Sequence, residues 1–553
     1  MAEIIINNTP YSFDEGESIL DVAERNGIHI PTLCYLKDVT PTGACRLCLV
    51  QVEGVERLQA ACAAYAKDGM KVETDNEHIW KNRRDMLDFI LIKHPLDCPV
   101  CDKVGECELQ DTAIEFGMKE EMVSSDKPTE PVVNWNKIVY NSNLCVLCEK
   151  CIKSCHEMTG CSALTMEDRG FYNHVTPAKG DTLNCDFCGT CIDRCPVGSL
   201  LDAQFHHSAR VWDLEEKVTS SVFSPAGGSV EYGLKNGKIA RAKAIGSAQI
   251  TAQDRFAFKY LDSADRATQP MVSADGNLTE TNWEEAETLL KDKLSGIKPD
   301  EIALVAGSTI TNESLAAYKK LMDGVGSKKI VSETDVALGH FYDKYSAKFG
   351  TMENIGTLDD ITNSDIVFVI GCDLRREAVG VKHKVMNAVI HNSAKLYVAG
   401  LKKYEYDLFT TKTVLADYGD FAAALEELRK DAPVPALQDN PNIIDVINDK
   451  ERYVPAELKK AKKVSLIIGE EFIQSGTDTD AVLAFCDFIG QEKLKSLFVI
   501  NEQVNYMGSV VNGYVRNGYT FEKLTQELNS GTVKVVINAG FNAKPNCKIP
   551  ADL

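Results

Sequence analysis

The sequence predicts a multi-domain α/β protein, with a metal-binding front and a doubly wound α/β back, and three observations carry that prediction. A chain of 553 residues is too long for one ordinary hydrophobic core and calls for roughly three or four domains. Its cysteines are unevenly placed, since 16 of the 19 lie before residue 196 and only Cys372, Cys486 and Cys547 come after it. Beyond residue 300, short apolar runs that each end in a small or polar residue alternate with helical patterns, as in a buried, mostly parallel sheet.

Composition narrows the function. Apolar content of 44% and charged content of 25% are those of an ordinary globular protein. A net charge of -21 argues against nucleic acid as a partner. The opening MAEIIINNTPYSF lacks the basic region of a signal peptide. Apolar runs such as Ile366 to Ile370 and Val464 to Ile468 are strand-length and far short of a membrane span. The expectation is a cytoplasmic chain that meets a membrane only through partner subunits. In a reducing compartment, clustered thiols are metal ligands before they are disulfides.

Residues 1–78 form the first expected domain. EIIINNTPYSF is a strand hairpin, and ESILDVAERNG is a helix with Ser18 near its N-cap and Gly27 near its C-cap. Cys34, Cys45, Cys48 and Cys62 follow with spacing C-x10-C-x2-C-x13-C. A hairpin, a helix and a long ligand loop suit a ferredoxin-like [2Fe-2S] domain, although the plant-type spacing is C-x4-C-x2-C. The alternative is a zinc ribbon. Gly43 to Cys48, GACRLC, supplies flexible backbone that can point amides at sulfur.

Residues 136–215 hold two runs of equal spacing. CVLCEKCIKSC places cysteines at 145, 148, 151 and 155, and CDFCGTCIDRCP at 185, 188, 191 and 195. Each is the C-x2-C-x2-C-x3-C run of bacterial two-cluster ferredoxins, whose fourth cysteine ligates the other cluster. By that rule Cys145, Cys148, Cys151 and Cys195 hold one [4Fe-4S] cluster, and Cys155, Cys185, Cys188 and Cys191 hold another.

Between these domains, residues 79–135 contain HPLDCPVCDKVGEC, His94 to Cys107. Taken locally, one histidine and three cysteines suit zinc as well as iron. With twelve cysteines already assigned to clusters, His94, Cys98, Cys101 and Cys107 make a further set of four for a [4Fe-4S] cluster. Cys161 is the rival for the histidine's place.

The order of these sets over about the first 210 residues resembles the G-type iron-sulfur subunit of NADH-quinone oxidoreductases, the respiratory complex I family. IPTLCY, GACRLC, HPLDCPVCDKVGECELQD and CPVGSL carry the likeness. The same front resembles the electron-entry region of iron-iron hydrogenases and the diaphorase subunit of NAD-linked nickel-iron hydrogenases. Many complex I subunits keep only one of the two later clusters, whereas this chain has both complete motifs. The resemblance implies one [2Fe-2S] and three [4Fe-4S] clusters here, with NADH and FMN bound on a partner flavoprotein subunit. It also implies a downstream [4Fe-4S] ferredoxin-like subunit leading to a quinone-reducing or hydrogenase module.

The resemblance extends to residues 216–553, which look like the degenerate molybdopterin-oxidoreductase-like domain of that family. Val218 to Ala244 falls where the family often has another cysteine cluster, but Ser220, Ser221, Ser224, Gly227 and Gly228 stand there, and none can replace a set of thiolates. No fifth cluster is expected. The strand candidates are EIALVAGS, DIVFVIGCD, AKLYVAG, KVSLIIGE, SLFVINE and VKVVINAG. Cys372 follows a strand at the end where open α/β sheets bind ligands, yet a lone cysteine there is more often a buried apolar residue, and no molybdenum cofactor is expected. The sequence contains no Walker A run, no His-Glu-x-x-His and no Gly-x-Gly-x-x-Gly after a strand. His156 and Glu157 suggest no catalysis, the His206-His207 pair suggests a solvated stretch, and LEELRKD and ELKKAKKV suggest solvated helix faces.

Clusters without a substrate motif describe a wire. The expected function is electron transfer from the NADH/FMN subunit toward quinone in a complex peripheral to the inner face of the cell membrane. An electron-transfer subunit of a soluble NAD-linked hydrogenase or formate dehydrogenase is the second reading, and a zinc-stabilised scaffold the third.

Overall fold

The structure is a computed structural model that describes residues 2–541, except 38, 119–126, 128, 169, 247–248, 265, 275, 334–335, 352–354, 405, 407–408, 431–453, 476–478, 502–503 and 516–517. Cys547 lies outside the described residues. The chain divides into two compact units, residues 1–220 with 229–258, and residues 221–228 with 259–553.

The front unit begins with strands β1 (Glu3–Ile6) and β2 (Thr9–Ser12). Asn7 and Asn8, at φ of 49° and 66°, join them in the left-handed turn that matches strand twist. Helix α1 (Ile19–Arg25) starts at Ser18, whose hydroxyl accepts the Asp21 N–H at 3.1 Å while Asp21 accepts the Ser18 N–H at 3.0 Å. This reciprocal cap satisfies two otherwise orphaned donors. Gly27, at φ +73°, follows the helix end in the conformation that suits glycine. Ile19, Leu20, Val22 and Ala23 bury against Ile4, Ile6, Val50 and Val72. With β3 (Leu49–Val52), β4 (Gln59–Ala60) and β5 (Lys71–Glu73) the sheet runs β2-β1-β5-β3-β4. Two of the first four cysteines flank this sheet directly, with Cys48 immediately before β3 and Cys62 just after β4.

Helix α2 (Glu77–Lys93) is capped by Asn76 and ends at His94, because Pro95 disfavours helical backbone in the residue before it. From its middle the buried Arg83 reaches the carbonyls of Leu49 at 2.8 Å and Thr74 at 3.0 Å. Helix α3 (Glu108–Glu115) starts directly after Cys107. Strands β6 (Val133–Trp135) and β7 (Ile138–Tyr140) form a hairpin, and β8 (Leu164–Glu167) pairs with β9 (His174–Pro177). Strand β10 (Leu200–Asp202) joins the other edge of β7. Two short helices, α4 (Lys150–Lys153) and α5 (Thr190–Asp193), touch each other within this frame. The unit closes with an antiparallel sheet of β11 (Glu215–Ser220), β12 (Ser229–Lys235) and β13 (Lys238–Ala244).

Strands β14 (Met271–Ala274) and β15 (Asn277–Glu280) open the back unit as a hairpin. The six apolar runs then appear as strands, but in two parallel sheets instead of one. The first holds β16 (Ile302–Ala306) between β17 (Ile330–Ser332) and β23 (Val535–Ala539). The second runs β20-β19-β18-β21-β22, with β18 (Ile366–Ile370), β19 (Lys395–Gly400), β20 (Lys412–Leu415), β21 (Val464–Ile468) and β22 (Leu494–Val499). Strand β18 explains why these runs carry no alternation. Ile366, Phe368 and Ile370 face one apolar core while Val367 and Val369 face another, so both faces are covered. Among the described residues no helix is long and apolar enough to cross a membrane.

A buried ion pair braces the front unit. Arg255, 1% exposed, is held by Asp193, 9% exposed, through two guanidinium nitrogens, and also donates to the carbonyls of Cys188 at 2.8 Å and Ala242 at 2.9 Å. Removing one partner leaves a buried charge uncompensated. Asp193→Asn is expected to destabilise the front unit by about 3 kcal/mol, read as an earlier urea transition in tryptophan fluorescence.

Candidate metal centres

The first donor set gathers at the edge of the N-terminal sheet. Cys34, Cys48 and Cys62 are 3%, 1% and 1% exposed, and Cys45 sits in a loop that turns through Gly43 at φ +64° and Arg46 at φ +56°. Those left-handed residues rotate backbone N–H groups inward, a concavity suited to anions. The Cys45 N–H points at Cys34 Sγ at 3.4 Å, and the Leu33 N–H at Cys45 Sγ at 3.5 Å. A hydrogen bond from Cys34, helped by the amides of Leu47 and Leu33, holds the Cys45 thiol down to about 6. Cys62 acts likewise on Cys48, whose thiol is lowered. Arg83 lies close enough to Cys48 to be electrostatically coupled to it.

The second set follows α2. Cys98 begins a 3-10 turn that Cys101 ends, and Cys107 is the residue from which α3 springs. Burial pushes the Cys101 thiol up, and the charges of Asp102 and Cys98 add to that. Burial pushes Cys107 up to about 11, against the pull of the Gln110 and Leu109 amides at the start of α3. His94 is 8% exposed, and its Nδ1 is buried without a hydrogen-bond partner. Burial lowers the imidazole to about 4, while a hydrogen bond with the Leu144 backbone favours the protonated form. A neutral ring anchored to backbone, with an unused nitrogen, has the chemistry of a metal ligand. Gly198 packs beside both Cys101 and Leu144, since a Cβ there would lie 2.5 Å from Cys101 Sγ and 3.5 Å from Leu144 Cδ1.

The two ferredoxin-type runs share one conformation. Leu147 and Phe187, two residues after the first cysteine of each run, have φ of +54° and +50°, and Glu149 and Gly189, two further on, +60° and +70°. A short helix follows each, α4 or α5. Cys145, Cys148, Cys151 and Cys195 line one cavity with Tyr140 and Ser199. Burial pushes the Cys145 thiol up, while the Leu147 amide and the Tyr140 and Ser199 hydroxyls pull against it. Cys155, Cys185, Cys188 and Cys191 line a second cavity. There the Ala163 N–H meets Cys155 Sγ at 3.2 Å and the Phe187 N–H meets Cys185 Sγ at 3.3 Å. The fourth cysteine of each run therefore lines the other run's cavity.

Cys161 stands in the second of these cavities as a fifth thiol, hydrogen-bonded to Cys155 and 3.8 Å from Asp186 Oδ1. Its neighbours there are Cys155 and Cys185. Sequence spacing carries no signal for that placement, nor for the hydroxyls of Tyr140 and Ser199. Gly198, inside CPVGSL, was legible as a glycine but not as one that Cys101 requires.

The back unit offers less. Its sheet order has a switch point beside β18 and β21, where such folds bind ligands. A Cβ on Gly469 would lie 2.4 Å from Cys372 Cα, and one on Gly371 would lie 2.5 Å from the Phe472 nitrogen, so backbone fills the crevice. Cys372 is 0% exposed and hydrogen-bonded to Glu377, whose carboxyl burial raises to about 7. A thiol so enclosed does not fit a molybdenum ligand, whereas the convergent thiols and amides of the front unit fit iron-sulfur clusters.

Comparison with known proteins matches four segments of the chain. Residues 1–77 match a 2Fe-2S iron-sulfur cluster binding domain, and residues 83–121 match the NADH-ubiquinone oxidoreductase-G iron-sulfur binding region. Residues 136–201 match the ferredoxin-like domain of NADH-quinone oxidoreductase subunit 3, and residues 266–548 match molybdopterin oxidoreductase. The NADPH-Fe(3+) oxidoreductase subunit alpha of Geobacter sulfurreducens is 31% identical over 95% of this chain and 67% of its own length. A G-type subunit of the NADH-quinone oxidoreductase of Rhizobium meliloti is 30% identical over 86% of this chain and 58% of its own. The mitochondrial NADH dehydrogenase [ubiquinone] iron-sulfur protein 1 of Solanum tuberosum is 29% identical over 84% and 64%. A solved chain of an NAD+-reducing [NiFe]-hydrogenase aligns with 38% of this chain and 91% of its own, at 27% identity and a TM-score of 0.35, too low to bear on the fold.

Fold and donor sets together define an iron-sulfur electron-transfer subunit of an oxidoreductase, with a 2Fe-2S domain, 4Fe-4S binding regions and a molybdopterin-oxidoreductase domain. The chain belongs to the family of G-type iron-sulfur subunits of NADH-quinone oxidoreductase.

Gly198→Ala tests the fit at the second donor set, since its methyl group would displace Cys101 Sγ. It is expected to lower bound iron by about four atoms per chain, measured by iron and acid-labile sulfide analysis, with the [2Fe-2S] EPR signal retained.

Proposed function

We propose that the chain carries electrons singly from an NADH- and FMN-binding flavoprotein subunit, through one [2Fe-2S] and three [4Fe-4S] clusters, toward a quinone-reducing module. Cys34, Cys45, Cys48 and Cys62 hold the first cluster, and His94, Cys98, Cys101 and Cys107 the second. Cys145, Cys148, Cys151 and Cys195 hold the third, and Cys155, Cys185, Cys188 and Cys191 the fourth. A [4Fe-4S] ferredoxin-like subunit receives the electrons, and the assembly meets the inner face of the cell membrane through its partners. The observation that carries the reading is the exchange of Cys155 and Cys195 between two cavities, an arrangement that zinc knuckles do not need.

Bound clusters supply one-electron oxidation and reduction. The residues of this chain fix where each potential lies. Amides of Leu33, Phe187 and Ala163 directed at sulfur, with the Tyr140 and Ser199 hydroxyls at Cys145, stabilise electron-rich sulfur and favour the reduced state. Arg83 beside Cys48 and Arg255 beside Cys188 act in the same direction by charge. The neutral imidazole of His94 leaves its cluster one negative charge poorer than four thiolates would, which raises its potential and suits a terminal or branch site.

A second reading rests on the Geobacter sulfurreducens relative, which aligns with 95% of this chain and whose name gives Fe(3+) as acceptor. Under that reading the same wire ends on a non-quinone acceptor. Isolation of the anaerobic complex separates the two, by whether reduced pyridine nucleotide drives reduction of a short-chain quinone or only of ferric chelates.

Iron and sulfide analysis with EPR on that complex is expected to give about fourteen iron atoms per chain; zinc with negligible iron would overturn the wire. His94→Cys is expected to lower one [4Fe-4S] midpoint by on the order of 100 mV in a potentiometric titration, and an unchanged set of midpoints would remove His94 from the ligands.

A further inference from the structure

Apart from the cysteine sets, Asp102, His206 and His207 present three donor atoms within 4.8 Å of one another. Asp102 directly follows Cys101, and its side chain is 3% exposed. The two histidines lie in the turn after β10, far away in sequence but joined to Asp102 by the His207 N–H, which donates to Oδ2 at 3.0 Å. The same carboxylate oxygen is 3.8 Å from His206 Nε2 and 3.5 Å from His207 Nδ1. The imidazole rings lie 3.9 Å apart with their planes inclined at 36°.

Those separations discriminate between two kinds of contact. A hydrogen bond from an imidazole N–H to a carboxylate would bring the heavy atoms to about 2.7–3.2 Å, and both distances exceed that range. Two donors bound to one tetrahedral zinc-class ion, at about 2.0–2.2 Å each, stand about 3.4 Å apart. Each nitrogen therefore stands from the carboxylate oxygen at a distance that a cation shared between them would span. Two imidazoles and one carboxylate select a borderline divalent ion such as zinc over calcium or magnesium, which take oxygen.

We propose that Asp102, His206 and His207 form a site for a zinc-class divalent cation, separate from the cysteine sets. The ion pins the turn after β10 to the loop that carries Cys98, Cys101 and Cys107. Arg210 already ties these segments, donating to the carbonyls of Cys101 at 2.9 Å and Pro99 at 2.7 Å, and the ion adds a second tie one residue from Cys101. His207, with its side chain 65% exposed, leaves the fourth position open to water. The sequence alone suggested only a solvated histidine pair, because Asp102 is more than 100 positions away.

The test uses the anaerobically purified full chain with its iron retained, washed with a mild chelator and titrated with zinc chloride against a chromophoric zinc indicator. One zinc per chain is expected, bound roughly 100-fold more weakly or not at all by His206→Ala/His207→Ala. The exposed His207→Ala alone should weaken it about 10-fold, and Asp102→Asn, which keeps an acceptor for the His207 N–H, by a similar factor. Iron content and EPR signals should be unchanged in the His207 variant. X-ray absorption at the zinc edge should show nitrogen and oxygen neighbours without sulfur. A sulfur shell, or equal zinc binding by wild type and the double variant, would overturn the site.

Discussion

Gathering thiols in fours inside a protein obliges the chain to bring hydrogen-bond donors to the same places, and much of the front unit follows from that obligation. Sulfur carrying negative charge is costly in a low-dielectric interior unless amides, hydroxyls or cations face it. The left-handed residues Arg46, Leu147, Glu149 and Phe187 are costly by themselves, and they are tolerated because each rotates backbone N–H groups toward sulfur. The start of α3 serves Cys107 in the same way, and Tyr140 reaches from β7 to serve Cys145. Strands, caps and turns here are the means by which donors are aimed.

What could be read in the sequence follows from how local each feature is. The α1 cap, the hairpin before it and the paired cysteine runs are all encoded within a dozen residues, and they stand where their spacing suggests. The six apolar runs were legible as buried strands because both faces of each are covered. Their division between two sheets was not legible, since β16 pairs with β23 across most of the back unit, and nothing in either run names its partner. The short strands β17 and β20 fall below the length at which periodicity speaks. Cys161 joining Cys155 and Cys185, and Asp102 meeting His206 and His207, are likewise contacts between segments that share no local pattern.

The back unit shows how a ligand-binding architecture can be closed by packing. Its second sheet has the strand order of doubly wound folds, whose crevice ordinarily opens at the switch point. Here Gly371 and Gly469 allow the two strand ends to approach until backbone touches backbone. Tyr406 hydrogen-bonds the Cys372 carbonyl at 2.6 Å, and Glu377 accepts the Asp373 and Glu470 amides at 2.5 and 3.0 Å. These polar groups are turned toward their own protein.

The exchange of Cys155 and Cys195 bears on biogenesis. Neither ferredoxin-type cavity is complete until the ribosome has passed residue 191, and one of them not until residue 195, although three of its four donors have emerged by residue 151. Any assembly factor that delivers iron during synthesis must therefore wait for the second run or be handed a half-built site. Each run lends one thiol to the other run's cavity, so a change that displaces either run disturbs both.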